Sequence, residues 1–170
     1  MGFFVNREGG VSIFRVGSVV AVVGILAILG GILSFTLDQS SRKQALVIEP
    51  FPGAVLISEQ NLMSNVRERL YQISSVDPAE VADFYDRSLA DFYGVGFNDL
   101  ERDRCVRIPG EGNALGYQPG TDQVPYFFTC MFDNAGFFAS QNTRIVVQPG
   151  ILALNTEGTT LIQHVETWEP

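Results

Sequence analysis

Residues 16–37 read VGSVVAVVGILAILGGILSFTL, which is 22 consecutive positions without a charged residue or a proline. As an α-helix rising about 1.5 Å per residue, this segment is roughly 33 Å long, and the hydrocarbon core of a bilayer is about 30 Å thick. The sequence therefore predicts one transmembrane helix over residues 16–37. A short tail, residues 1–15, precedes it.

A cleaved signal peptide is the competing interpretation of this segment, because Arg7 and Arg15 lie before the apolar run. Signal peptides have an apolar region of about 7 to 15 residues, followed by a cleavage site with small residues. The run here is longer, and no such site follows Leu37. The sequence favours an anchor that stays in the mature protein.

The orientation of the anchor is not decided by charge, since Arg7 and Arg15 on one side balance Arg42 and Lys43 on the other. Two other features favour a cytoplasmic N-terminus and a periplasmic or extracellular C-terminal domain. The N-terminal tail is short, and the C-terminal part contains two cysteines that would pair in an oxidising compartment. We therefore expect a single-pass protein of the cell membrane.

One face of the predicted transmembrane helix carries small side chains. Four of them fall within about 80° of one another at about 100° per residue, and two more lie beside that strip. The six residues are Gly17, Ala21, Gly24, Ala27, Gly31 and Ser34. Small residues allow a second helix to approach closely, so we expect two kinds of partner, the lipid bilayer and polytopic membrane protein subunits. The alternative is that glycine and alanine are simply common in such helices.

The rest of the chain is acidic: residues 44–170 contain 17 acidic and 7 basic side chains, a net charge of −10, and no lysine. Proteins that bind nucleic acid concentrate Lys and Arg on one face. Nucleic acid is therefore excluded as an expected partner. We divide the chain after the predicted span into a juxtamembrane linker, residues 38–44, and one extracytoplasmic domain, residues 45–170.

A helix in this domain has clear signals at both ends. Asp77 can cap its N-terminus, Pro78 suits the first helical position, Glu80 can reach back to the cap, and Gly94 suits the C-terminal stop. An apolar stripe at helical spacing follows the cap, and we expect it to be core rather than the lining of a ligand pocket. The stripe consists of Val81, Phe84, Tyr85, Leu89 and Phe92.

Six segments rich in β-branched or aromatic residues are bounded by Gly, Pro, Asn or Asp and are expected to be strands. They are residues 54–58, 66–74, 104–108, 126–132, 144–148 and 159–168. One helix among six strands, in the order β-β-α-β-β-β-β, predicts an α+β fold in which a small antiparallel sheet packs against the helix.

Cys105 and Cys130 lie in two of the predicted strands, and a structural disulfide between them is the leading interpretation. Their spacing is not the Cys-X-X-Cys of redox motifs, nor does a histidine follow as at a c-type haem site. With His164 far from both in sequence, the chain offers too few strong ligands for a tetrahedral metal site. No metal or cofactor is expected.

His164 is the only histidine, so any mechanism that needs a histidine base depends on it. Strand alternation places Ile162, His164, Glu166 and Trp168 on one face. No Gly-X-Ser-X-Gly or similar nucleophile motif accompanies it. We expect a hydrogen-bonded histidine on a sheet face, structural or at an interface, and no enzyme. The candidate partner-contact residues are Leu115, Tyr117, His164 and Trp168, the first two in a glycine-rich loop over residues 109–123.

The segment Glu80-Val81-Ala82-Asp83-Phe84-Tyr85, continued by Leu89 and Gly94 and preceded by Pro52-Gly53-Ala54 and a strand, resembles small membrane-tethered outer domains of bacteria. The plan of one tail, one helix and one domain is similar to accessory subunits of bacterial membrane electron-transfer complexes, such as alternative complex III or photosynthetic complexes. This resemblance of architecture implies no cofactor in the chain itself.

The expectation for function is a non-catalytic, single-pass accessory subunit that stabilises a larger bacterial membrane complex. The alternative is a membrane-tethered binding or sensing module whose sheet face or glycine-rich loop captures a ligand.

Overall fold

A computed structural model describes residues 13–94, 104–110, 123–135 and 140–169 of the chain. The chain divides into two compact units, Met1–Ser41 and Arg42–Pro170. The expected N-terminal tail lies almost wholly outside the described residues, as do Leu115 and Tyr117.

The described part of the first unit is one helix, α1, over Ile13–Ser41, a length of 29 residues. Its candidate span, Val16–Ser41, has a mean hydropathy of 2.6 in its most apolar window, and none of that window is buried. The expected apolar helix is confirmed. It runs four residues past Leu37, and the Ser41 hydroxyl donates to the Asp38 carbonyl at its end. Residues 38–44 are therefore not a separate linker, because the first four end α1 and the rest open the second unit.

The second unit is built on one six-stranded antiparallel sheet in the order β1-β2-β6-β5-β4-β3. The strands are β1 Val55–Met63, β2 Val66–Ser74, β3 Val106–Ile108, β4 Phe127–Ala135, β5 Ser140–Pro149 and β6 Thr159–Thr167. Between β2 and β3, the described residues form one α-helix, α2, over Pro78–Tyr93. The predicted α+β fold and the predicted order of its elements are confirmed.

Helix α2 begins and ends where its signals predict. The Asp77 carboxylate accepts a hydrogen bond from the Ala79 amide at 2.7 Å, and Pro78 occupies the first turn. Gly94 adopts the left-handed conformation with φ of 64°, and its N–H meets the carbonyls of the last turn. Capping of this kind stabilises a helix by about 1 kcal/mol.

The core lies between α2 and one face of the sheet. On α2, Val81, Tyr85 and Leu89 are fully buried, as the apolar stripe predicts, whereas Phe92 is 36% exposed. The sheet contributes Tyr71, Cys130, Phe132, Ile145, Val147 and Ile162. The segment before β1 extends the cover, with Leu46, Ile48, Phe51 and Ala54 packed against this core.

Candidate functional site

A fully buried carboxylate, Glu166 on β6, lies beside two arginines of β2. Its Oε2 accepts hydrogen bonds from Arg67, whose Nε lies at 2.7 Å and whose terminal nitrogen lies at 2.6 Å. Its Oε1 accepts a hydrogen bond from Arg69. The strand register explains this arrangement, because Arg67 is directly opposite Glu166 and Arg69 is opposite His164. A buried charge is tolerated only when it is paired and hydrogen-bonded, and two guanidinium groups meet that requirement here.

His164 is also fully buried and makes its hydrogen bond to the helix. The Tyr85 hydroxyl lies 2.9 Å from His164 Nε2, and it accepts a hydrogen bond from the Phe51 amide at 3.1 Å. The donor in the bond between Tyr85 and Nε2 depends on which imidazole nitrogen holds the proton, and His164 Nδ1 has no hydrogen-bond partner among the described residues. The Tyr71 ring packs 5.0 Å away, centroid to centroid.

The electrostatics of the site keep this histidine neutral. Burial lowers the pKa of His164 from its ordinary 6.5 to about 3, and the positive charge of Arg69 acts in the same direction. Burial likewise raises the pKa of the Tyr85 hydroxyl. A general base needs a pKa near the operating pH and contact with its substrate. His164 is buried between Tyr71 and Tyr85 in the core of the domain. It is therefore not exposed for direct contact with a partner protein.

Trp168 lies just past the end of β6 and is partly exposed. Its backbone N–H donates to the Asn65 carbonyl at 3.1 Å, and the Asn65 side-chain amide donates to the Trp168 carbonyl at 3.0 Å. The residue lines a cavity of about 340 Å³ together with Lys43, Gln44, Ala45, Val47 and Arg67. Of the two candidate contact residues that the structure describes, only Trp168 is accessible.

A larger groove lies between α2 and the β3 edge of the sheet, with a volume of about 440 Å³. Its lining consists of Ala79, Ala82, Asp83, Asp86, Cys105, Arg107, Tyr126 and Phe128. Asp86 Oδ1 accepts a hydrogen bond from the Cys105 amide at 2.6 Å, and burial raises the pKa of Asp86. The Arg107 guanidinium lies 4.3 Å from the Tyr126 ring centroid.

Sequence reasoning missed this groove, since helical spacing places Asp83, Asp86 and Asp91 mainly outside the apolar stripe and says nothing more of them. Asp83 and Asp91 are exposed, but Asp86 is half-buried against the start of β3. Helical periodicity indicates which side of a helix is polar but not which strand packs beside it. The proximity of Asp86 to Cys105 follows only from the pairing of distant strands.

The predicted disulfide is present, joining Cys105 and Cys130 across a sequence separation of 25. It ties the start of β3 to its neighbour β4 at one edge of the sheet. Cys130 is fully buried, and Cys105 is partly buried beside the groove. The bond therefore fastens the outermost strand that borders the groove.

The six small residues of the predicted packing strip are all on the exposed surface of α1. A Cβ added at Gly17, Gly24 or Gly31 would meet no other atom within 4 Å. Within the described residues no cluster of three or more His, Cys, Asp or Glu side chains could hold a metal ion. Comparison of the chain with protein-family models, curated proteins and solved structures finds no match.

Proposed function

We propose that this protein is a non-catalytic, single-pass accessory subunit that stabilises a larger membrane complex. The observation that carries the proposal is α1, whose candidate span Val16–Ser41 is 26 residues long and has no buried part in its apolar window. Exposed apolar surface costs about 25 cal/mol per Å² in water. A bilayer and the helices of a membrane-embedded neighbour would both accept that surface.

The placement of the globular domain on the oxidising side of the membrane is part of the proposal. The Cys105–Cys130 disulfide supports it, because disulfides persist in the periplasm or outside the cell and are rare in the cytosol. The N-terminus would then lie in the cytoplasm. A bacterial electron-transfer complex is the assembly that the resemblance of overall plan favours.

A non-catalytic role is supported by where the chain places its reactive groups. His164 is buried and neutral, and Glu166 is held by two arginines in the same layer. These groups stabilise one packing of β2 against β6. Their arrangement suits a rigid domain that presents a fixed surface to a neighbour.

Affinity capture through the C-terminus, after solubilisation in a mild detergent, tests the proposal. We expect polytopic membrane proteins to co-purify in fixed stoichiometry with the full-length chain. The substitution Gly24→Leu on the small-residue strip should lower their recovery about tenfold, because a large side chain keeps a neighbouring helix away. The matched control is Ile25→Leu, which replaces one large aliphatic side chain by another at the neighbouring position outside the small-residue strip. Recovery of the protein only as a monomer would contradict the proposal.

A second candidate function is a membrane-tethered binding or sensing module, and the groove beside β3 is the observation that favours it. Asp86 and Arg107 line the same 440 Å³ space with the Tyr126 ring, which suits a small zwitterionic or cationic ligand. Thermal unfolding of the full-length protein with free amino acids and polyamines tests it. A stabilisation that Arg107→Ala and Asp86→Asn abolish would support this function, and no stabilisation by any of these compounds would count against it.

A further inference from the structure

The two edges of the sheet differ in how they are protected. The β3 edge is only three residues long, is tied down by the disulfide and is followed by Pro109, all of which limit pairing with another chain. The opposite edge is β1, which is nine residues long and contains no proline or lysine. Among the described residues β1 pairs with β2 alone, so its outer backbone groups face no strand.

The two ends of β1 are also apolar. Five of its nine side chains are large, hydrophobic and between 45% and 67% exposed. They are Val55, Leu56, Ile57, Leu62 and Met63. An exposed, long, apolar edge strand invites pairing with another chain, and natural proteins normally block such an edge. This edge has the properties of a surface that is covered when the protein functions.

Two register irregularities limit pairing at the ends of β1, because bulges are one of the features that protect an edge, and they define which part of the edge can pair. The register with β2 shifts between Leu56 and Ser58 and again between Asn61 and Met63. Between these shifts, residues 58–61 pair in regular order. A visiting strand can therefore form a ladder along the central four residues, while the apolar residues at both ends offer side-chain contacts.

Strand β2 shows which chemistry the centre of β1 accepts. Glu59 is the only charged residue of β1, and Arg69 lies directly opposite it on β2. An Arg67 nitrogen lies 4.0 Å from the Glu59 carboxylate, which remains 46% exposed. Opposite charges on directly paired residues stabilise a sheet, whereas like charges destabilise it. A strand on the outer side of β1 is favoured when it too places a basic residue opposite Glu59.

A second copy of this chain fits the edge less well. The antiparallel register that matches the apolar ends, with Val55 opposite Met63 and Leu56 opposite Leu62, places Glu59 opposite Glu59. The two domains would also repel each other, because residues 44–170 have a net charge of −10. Charge thus favours a different, basic segment as the occupant.

We propose that β1 docks an extended segment of another protein, which adds a seventh strand to the sheet and places a lysine or arginine opposite Glu59. This proposal rests on the proposed function, since it identifies the surface by which the accessory subunit holds a neighbouring chain. The occupant is apolar on both sides of its basic residue, to match the two ends of β1.

Photocrosslinking with the full-length protein in its own membranes tests this proposal. A benzoylphenylalanine replaces Ile57 on the edge, and in a control protein it replaces Leu152, an apolar residue outside β1 that is slightly more exposed. We expect an adduct from position 57 whose peptide, identified by mass spectrometry, is an apolar segment with a central Lys or Arg. Position 152 should give less than one fifth of that yield.

Charge substitutions distinguish this specific strand pairing from nonspecific association with the exposed apolar residues of β1. Glu59→Lys should lower the adduct from position 57 at least tenfold, while Gln60→Lys, which adds the same charge to the neighbouring position, should lower it less than threefold. Urea unfolding of both variants confirms that they fold. An adduct with β1 of a second copy, an adduct with a segment that lacks a basic residue, or no adduct would each overturn the proposal. If C-terminal capture still recovers membrane partners in that case, the proposed function stands without this surface, and if capture fails too, both are wrong.

Discussion

Acidification from pH 7.5 to pH 5 should destabilise the domain through His164. The folded protein keeps this imidazole neutral, with a pKa of about 3, whereas the unfolded chain binds a proton near the ordinary value of 6.5. The stabilising effect of the neutral imidazole is thus complete well above pH 6.5 and is lost as the pH falls toward 3. The slope approaches about 1.4 kcal/mol per pH unit, which gives a loss of about 2 kcal/mol by pH 5.

The assay is equilibrium urea unfolding of the full-length protein in a non-ionic detergent, followed by fluorescence. Trp168 is the only tryptophan of the chain and lies just past the end of β6, two residues after the buried Glu166. Its emission therefore reports on the unfolding of this part of the sheet. The matched variant is His164→Gln, whose side-chain amide can still form a hydrogen bond with the Tyr85 hydroxyl but does not titrate. Its stability should fall by about 2 kcal/mol less than that of the wild type over the same pH interval.

The difference between the two proteins is the quantity to compare, because other groups titrate as well. Burial raises the pKa of Asp86, so the folded state gains a proton there as the pH falls, and this opposes the effect of His164. Asp86 is the same in both proteins, and its contribution cancels. If wild type and His164→Gln lose equal stability between pH 7.5 and pH 5, then His164 is not buried as a neutral imidazole and this account of the sheet is wrong.

Three further substitutions test the domain by the same urea assay. Glu166→Gln removes the buried carboxylate that Arg67 and Arg69 share, leaves Arg67 with only the more distant Glu59 among the described carboxylates, and should cost about 3 to 5 kcal/mol. Glu59→Gln on the exposed edge should cost less than about 1 kcal/mol, and equal costs would contradict the buried pairing. Replacing both Cys105 and Cys130 by alanine removes a bond that spans a sequence separation of 25 and should lower the free energy of unfolding by about 3.5 kcal/mol. An unchanged free energy of unfolding would show that the bond does not form in the native protein. Asp77→Ala removes the cap of α2 and should cost about 1 kcal/mol, while Asp83→Ala at an exposed position should be nearly neutral, and the reverse order would refute the capping geometry.

Features with local causes could be predicted from the sequence. The ends of α2 follow from Asp77, Pro78 and Gly94, which act on residues within one turn. The bounds of β2 match the predicted segment because a β-branched and aromatic run ends in turn residues on both sides. Strand β1 is longer than expected, since its second half, with Glu59 and Gln60, lacks the residues typical of strands and forms only by pairing with β2.

Features that depend on pairing between distant parts of the chain could not be predicted. Glu166 is 99 residues from Arg67 and 97 from Arg69, and only the register of β2 against β6 brings them together. The alternation of β6 placed His164 and Glu166 on one face, but it did not reveal that Tyr85 of α2 packs against His164 there. Burial converts a candidate base or contact residue into a core residue, and no local pattern signals that change.

The mass of the mature protein in its native membrane tests the central claim most directly. If α1 is a permanent anchor, mass spectrometry of the membrane fraction will find an N-terminus that precedes Val16, and alkaline carbonate will not extract the protein. A mature chain that begins near Asp38 and fractionates with water-soluble proteins would show that the apolar helix is a signal sequence. The accessory-subunit proposal would then lose the observation that carries it.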